Sequence, residues 1–298
     1  MNIVYQPFIN QLYRSILKPF SGILPSFLKI GVNGTFTVKP SGGLPFRMLT
    51  NPTNAVTKFL FWGGVEGFEY NSVRIFSGLV KDSKVFFDIG ANIGYYSLIG
   101  SSISDEKTEV YAFEPMPSIY ECLKENCLIN HFQNIRTFQI ALSNEIGEAT
   151  FYAVVNPKFA QLPQLTGDGG LSKSHSGKIS KINFQVKTTT LDAFVAEHLG
   201  DKKIDLIKLD TEANEHRVLM GATTVLGNHR PIIQCEILKN QIESELQEIL
   251  KPFNYLYFRA TNEGLVQVKT FTNNTSDFVD YYLVPAEKRA LVTVFENN

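Results

Sequence analysis

The spacing of hydrophobic positions changes along the chain, and each change marks an element. Val85-Phe86-Phe87 is an unbroken apolar run, the pattern of a strand buried on both faces of a parallel sheet. Asp88 ends the run, Gly90, Asn92 and Gly94 form a turn with little side-chain bulk, and Tyr95 to Ile103 repeat apolar residues at helical spacing. The alternation recurs downstream. Val110 to Phe113 precedes a helix opened by Pro117-Ser118, and Ile135 to Leu142 reads as a third strand. Asp205 to Asp210 precedes a helix through Leu219, and Arg230 to Glu236 precedes a helix over 242–251. Runs around Tyr255 to Phe258 and Asp280 to Val284 close the series. Strands alternating with helices predict an α/β fold with a doubly wound, mostly parallel sheet.

Other patterns flank this core. Asn33-Gly34, the β-rich Thr35-Phe36-Thr37-Val38 and Gly42-Gly43 predict a hairpin over 30–50. Ahead of it, Ile9, Leu12, Tyr13, Ile16 and Leu17 share one helical face, with Arg14 and Lys18 beside it. That stripe predicts a helix packed on the main body or on a second subunit, with peripheral contact to a membrane as the alternative. Residues 1–58 thus read as a helical and hairpin extension and 59–298 as the main domain. A polar Gly/Ser/Lys-rich segment over 156–183 separates the β-rich runs at Phe151 and Phe184; its length predicts a mobile flap over an acceptor site.

Composition narrows the function classes. With 44% hydrophobic and 19% charged residues among 298, the chain has the make-up of a soluble globular protein. A net charge of -1 gives no electrostatic signature of nucleic-acid binding. Cys122, Cys127 and Cys235 have no metal-ligand spacing and read as reduced thiols, which predicts a cytoplasmic protein without a signal peptide. Lys18, Pro19, Pro25 and Lys29 break the early apolar run, so no membrane span is expected.

The turn at 88–94 carries the candidate chemistry. A dinucleotide fold calls for G-x-G-x-x-G so that a pyrophosphate can rest on a helix N-terminus, whereas this turn is G-x-x-x-G with Asp88 two residues ahead. A carboxylate there suits a cationic ligand. Glu114 ends the next strand, where a carboxylate accepts hydrogen bonds from both ribose hydroxyls. Sulfonium, amino acid and adenosine without phosphate describe S-adenosylmethionine (SAM). The cofactor-binding candidates are therefore Asp88, Gly90, Asn92, Gly94, Glu114 and Pro115. Ala141, at the third strand's end, and Glu69, beside the lone Trp62, complete the set.

Several ordered blocks together resemble the FkbM-type SAM-dependent methyltransferases. They are F-W-G-G-V-E-G-F-E (61–69), V-F-F-D-I-G-A-N-I-G-Y-Y-S-L (85–98), F-E-P-M-P (113–117), N-C-L-I-N (126–130), D-L-I-K-L-D-T-E-A-N-E (205–215) and R-P-I-I-Q-C-E-I (230–237). The resemblance covers roughly 59–284. It implies the Rossmann-like class I methyltransferase sheet of seven strands, ordered 3-2-1-4-5-7-6 with the last antiparallel. It also implies O-methylation of a hydroxyl on a sugar, glycan or polyketide-like product. Family members often carry D-x-E-G-x-E, where this chain has Ala213, a residue tolerable at a helix start.

A hydroxyl is a poor nucleophile, so a positioned base is expected beside the methyl group. Asp210, emerging at the end of the fourth strand, is the first candidate, its alternative being a cap for a helix beginning near Thr211. Glu212 and His175, the latter in the polar segment with an imidazole suited to proton transfer, are the others. No metal is expected; Asp210, Glu212 and Glu236 offer hard oxygens for Mg²⁺ as a minor reading. The acceptor is expected to be a small molecule or glycan, and a homo-oligomer is compatible with the N-terminal helix. A nicotinamide-dependent oxidoreductase, suggested by Tyr120-x-x-x-Lys124, and a non-catalytic binding module are the rival readings. The missing G-x-G-x-x-G weighs against the first, and the intact Asp88, Gly90, Gly94 and Glu114 against the second.

Overall fold

The computed structural model describes residues 3–167, 169–171, 181–272 and 279–296. Helix α1 (Pro7–Leu17) precedes an antiparallel hairpin of β1 (Gly34–Val38) and β2 (Phe46–Thr50). Helices α2 (Ala55–Gly63) and α3 (Tyr70–Val80) lead into β3 (Val85–Ile89), α4 (Tyr95–Ile103), β4 (Glu109–Phe113), α5 (Pro117–Leu128) and β5 (Ile135–Phe138). Strands β6 (Ala141–Leu142), β7 (Gly147–Val154) and β8 (Lys181–Thr189) form a separate three-stranded sheet. The chain then returns through α6 (Leu191–His198), β9 (Leu206–Leu209), α7 (Glu215–Met220), β10 (Ile232–Glu236) and α8 (Glu243–Leu250). It ends with β11 (Tyr255–Ala260), β12 (Leu265–Val268) and β13 (Asp280–Pro285).

The central sheet has the order β12-β11-β13-β10-β9-β3-β4-β5. Strands β5, β4, β3, β9 and β10 are mutually parallel, and β13 is antiparallel to both neighbours. This is the class I methyltransferase order with an eighth strand where seven are expected. The addition is β12, a four-residue strand that pairs antiparallel with β11 across a turn held by Thr261 and Gly264. Every residue of β3 is buried, as its apolar run requires. Alternate side chains fill the two faces. Phe86 meets Phe76 of α3 at 4.9 Å between ring centroids, and Phe87 meets Phe194 of α6 at 5.9 Å on the opposite face.

Other expectations need correcting. The third strand splits: Ile135–Phe138 joins the main sheet, while Ala141–Leu142 pairs with β8. The boundary drawn at 58/59 falls inside α2. The stripe on α1 does not face the body as a unit, because Leu12 and Ile16 are exposed and the helix buries Asn10 and Arg14 instead.

Within 156–183, the described part up to 171 is packed rather than an open flap. Leu165 N donates to Thr53 Oγ1 at 2.8 Å, Asn51 Nδ2 to Pro163 O at 2.8 Å and Ser118 Oγ to Gln164 O at 2.7 Å. Distant polar side chains satisfy its backbone, and that removes the freedom its composition predicts.

Candidate active site

The turn after β3 is shaped by close backbone approach. Gly90 N and Ala91 N both donate to Phe113 O, at 3.0 and 2.9 Å, while Asp210 N donates to Ile89 O at 3.0 Å. Gly90 sits at φ +82°, and a Cβ there would lie 1.7 Å from Asp210 O. Only glycine lets the ends of β3 and β9 close this tightly, which brings the Asp88 turn beside Asp210. Gly94 serves differently. It starts α4 at φ +93° with Leu123 against it, and it does not line the cavity.

A cavity of about 360 Å³ opens over these strand ends. Glu69, Asp88, Gly90, Asn92, Glu114, Pro115 and Ala141 line it, as do Asp210 and Glu212. His175 lies outside the described residues.

Two buried carboxyls stand in its wall. Asp88 Oδ2 accepts from Ser97 Oγ at 2.6 Å, whereas its buried Oδ1 has no partner. Burial pushes this carboxyl up to about 6, with Lys208 and Ser97 pulling the other way. Glu114 accepts one backbone N–H on each oxygen, from Asn92 at 3.1 Å and Met116 at 2.8 Å. Burial nevertheless raises it to about 7. The hydroxyl of Tyr95, also in the wall, is likewise buried without a partner. Buried polar atoms are nearly always satisfied, so these two define where a ligand's donors complete the wall. An ammonium and a pair of ribose hydroxyls are such donors, and the residues present fit SAM.

Beside Asp88, on the neighbouring strand β9, Lys208, not foreseen as a site residue, lies almost wholly buried. Its Nζ is 2.6 Å from Asp210 Oδ2 and 4.9 Å from the centroid of the Tyr96 ring. Burial works against this ammonium, but Asp210, Glu69 and Asp88 together outweigh it and hold its pKa above the ordinary lysine value. Tyr96 donates its hydroxyl to Glu69 Oε2 at 2.8 Å and accepts from Gln234 Nε2 at 2.9 Å. Desolvation, reinforced by Asp280, raises Glu69 to about 8. Desolvation together with Asp210 and Glu212 raises Glu236 to about 10. The signal for Lys208 was in plain view: a lysine inside Leu206-Ile207-Lys208-Leu209 must find a carboxylate once the strand is buried.

The capping alternative for Asp210 closes here. Helix α7 begins at Glu215 rather than near Thr211, and Asp210 pairs with Lys208 instead of capping it. Thr211 N is met by Glu215 Oε1 at 2.7 Å. Ala213 therefore stands not in a helix start but in a turn where both Glu212 (φ 55°) and Ala213 (φ 67°) are left-handed, a conformation that favours glycine. Among the described residues no group of three or more His, Cys, Asp or Glu is disposed to hold a metal ion. Lys208 supplies the positive charge that the magnesium reading placed among these acids. The pair Tyr120 and Lys124 lies apart from the cavity on α5, Lys124 reaching Glu121 at 3.1 Å.

The raised carboxyls predict a pH dependence. Asp88 at about 6, Glu114 and Glu215 at about 7, and Glu69 at about 8 hold protons in the folded chain that the unfolded chain has already released. Their contribution is present at low pH and lost as pH rises through these values. The ligand-free protein is expected to lose roughly 5–10 °C in Tm between about pH 5.5 and about pH 8, by thermal unfolding. A flat or rising Tm over that window contradicts the assignment.

A sequence profile for the family described as "Methyltransferase FkbM domain" matches residues 88–260. Among curated proteins, the chain is 29% identical over 160 residues to "31-O-demethyl-FK506 methyltransferase FkbM" of Streptomyces tacrolimicus, covering 48% of this chain and 60% of that one. It is 27% identical over 158 residues to "Hexuronic acid methyltransferase AglP" of Haloferax volcanii, covering 53% and 58%. The matches thus span about 60% of these relatives' lengths. Among solved structures, methyltransferase FkbM from Methylobacillus flagellatus is 16% identical with a TM-score of 0.44, covering 77% of this chain and 52% of that one.

Proposed function

Because the chain belongs to the FkbM-domain methyltransferase family, we propose that it methylates a hydroxyl oxygen of a sugar, glycan or polyketide-like product, with SAM as the methyl donor. The observation that carries this reading is one cavity lined by Asp88, whose Oδ1 has no partner, by Glu114 and by the Lys208–Asp210 pair. The relatives' names, one for an O-demethyl macrolide and one for a hexuronic acid, support an oxygen acceptor.

Bound there, the cofactor supplies an electrophilic methyl on a sulfonium. Glu114 uses the lone pairs left after its two backbone hydrogen bonds for the ribose hydroxyls. Asp88, whose Oδ1 has no partner, would hold the cationic amino-acid portion. Pro115 and Ala141 would line the purine, and Glu69 holds the Tyr96 hydroxyl in the cavity wall. Asp210 orients the acceptor hydroxyl and takes its proton, while Lys208 fixes the carboxylate through a 2.6 Å contact. Glu212 lines the acceptor side, and Phe59, Phe68 and Phe151 help exclude water. His175 stays an alternative base in this proposal.

Methyl-labelled SAM offered with a panel of glycans and polyketide aglycones tests the activity; label on an ether oxygen is the expected product. Calorimetry tests the cofactor site separately. Glu114→Ala is expected to weaken SAM by roughly 1.5–3 kcal/mol through loss of charge-assisted hydrogen bonds. Unchanged SAM affinity in a folded Glu114→Ala protein removes this placement.

A further inference from the structure

Helix α1 is turned inside out for a soluble helix. Phe8, Leu12 and Ile16, at i, i+4 and i+8, are 78%, 53% and 58% exposed, while the stripe facing the protein contains the buried Asn10 and Arg14. The inward polar pair is fully used. Arg14 Nε donates to Asn10 Oδ1 at 2.8 Å, its guanidinium stacks 4.6 Å from the Phe61 ring centroid, and Asn10 also bonds Gly31 O and Asn33 N. This orientation is therefore fixed by the fold. The apolar outer surface continues into the turns that follow, where Phe20, Ile23 and Phe27 are exposed. Soluble proteins rarely expose such a contiguous set without an occupant.

Charge identifies that occupant. Residues 1–65 hold no Asp or Glu; with Arg14 turned inward and Lys18 on Phe61 O, they leave Lys29, Lys39, Arg47 and Lys58, and all 29 acids come later. Lys29 acts electrostatically on Lys18, and the exposed Lys158 lies 5.3 Å over the ring of Tyr5, just before α1. A second copy meeting this face across a two-fold axis would set like charges against like. A surface of anionic lipid complements both the apolar side chains and the cations. No helix among the described residues is long and apolar enough to cross a membrane, so the contact lies along the surface.

We infer that α1 and residues 18–28 form a docking face for an anionic lipid bilayer, with the apolar side chains entering the headgroup boundary. The inference is independent of which acceptor the cavity takes.

Flotation of the full chain with phosphatidylcholine vesicles, and with vesicles mixing in phosphatidylglycerol, tests it. Binding is expected on the mixed vesicles, at least about tenfold stronger than on phosphatidylcholine alone, and weakened by salt. The combined Phe8→Ser, Leu12→Ser and Ile16→Ser variant is expected to partition about 10²-fold more weakly at unchanged Tm, since these side chains are already in water. Lys29→Glu with Lys158→Glu is expected to abolish the anionic preference. Absence of flotation on the mixed vesicles overturns the inference, as does equal binding by the serine variant. Light scattering showing a dimer that the serine substitutions dissolve, with no flotation, assigns the face to a second copy and overturns it as well.

Discussion

Asp210→Asn is expected to lower kcat by about 10²–10⁴-fold while leaving SAM affinity near that of the parent, the range set by losing a positioned general base. Asparagine keeps the shape of the side chain and its contact to Lys208, whose Nζ lies 2.6 Å from Asp210 Oδ2. It cannot take a proton from an acceptor hydroxyl. Because α7 starts at Glu215, the substitution does not disturb a helix cap, and the loss cannot be traced to a frayed helix. Near-normal kcat in a stable variant transfers the role to Glu212 or His175, or to proximity alone.

The expectation for Asp210 was legible because three signals coincide in few residues. An apolar run broken only by Lys208 predicts the strand, the acid after Leu209 marks its end, and the βα order places that end over the shared crevice. The same logic placed Asp88 and Glu114. What the pattern did not contain was direction. Helical spacing groups Ile9, Leu12, Tyr13, Ile16 and Leu17, but it does not state which stripe meets the body, and Asn10 and Arg14 won that place by matching Gly31, Asn33 and Phe61. Contacts closed over long separations were equally hidden. Thr53 and Asn54 reach Leu165 across more than a hundred residues, turning a glycine- and serine-rich segment into packed wall. Strand β12 escaped because four residues, two of them only partly buried, carry too little periodicity to stand out.

Lys208→Met is expected to destabilise the ligand-free protein by about 3–5 kcal/mol at pH near 8, the range for removing one partner of a buried ion pair. Methionine fills much of the lysine stem's volume, so the loss is chiefly electrostatic. Without the ammonium, Asp210 loses its 2.6 Å partner, and Asp88, Glu69 and Asp280 lose a cation that pulls their carboxyls down. Asp88, Glu69 and Asp280 then hold protons to still higher pH. Their folded-state pKa values move further above the unfolded ones, so the penalty is smallest where they are protonated and grows as pH rises. The difference in stability between parent and Lys208→Met, from urea unfolding, is therefore expected to widen between about pH 5.5 and about pH 8. Equal losses at both pH values would reduce Lys208 to a packing residue. A widening gap identifies it as the counter-charge that draws the raised carboxyls of Asp88 and Glu69 back down.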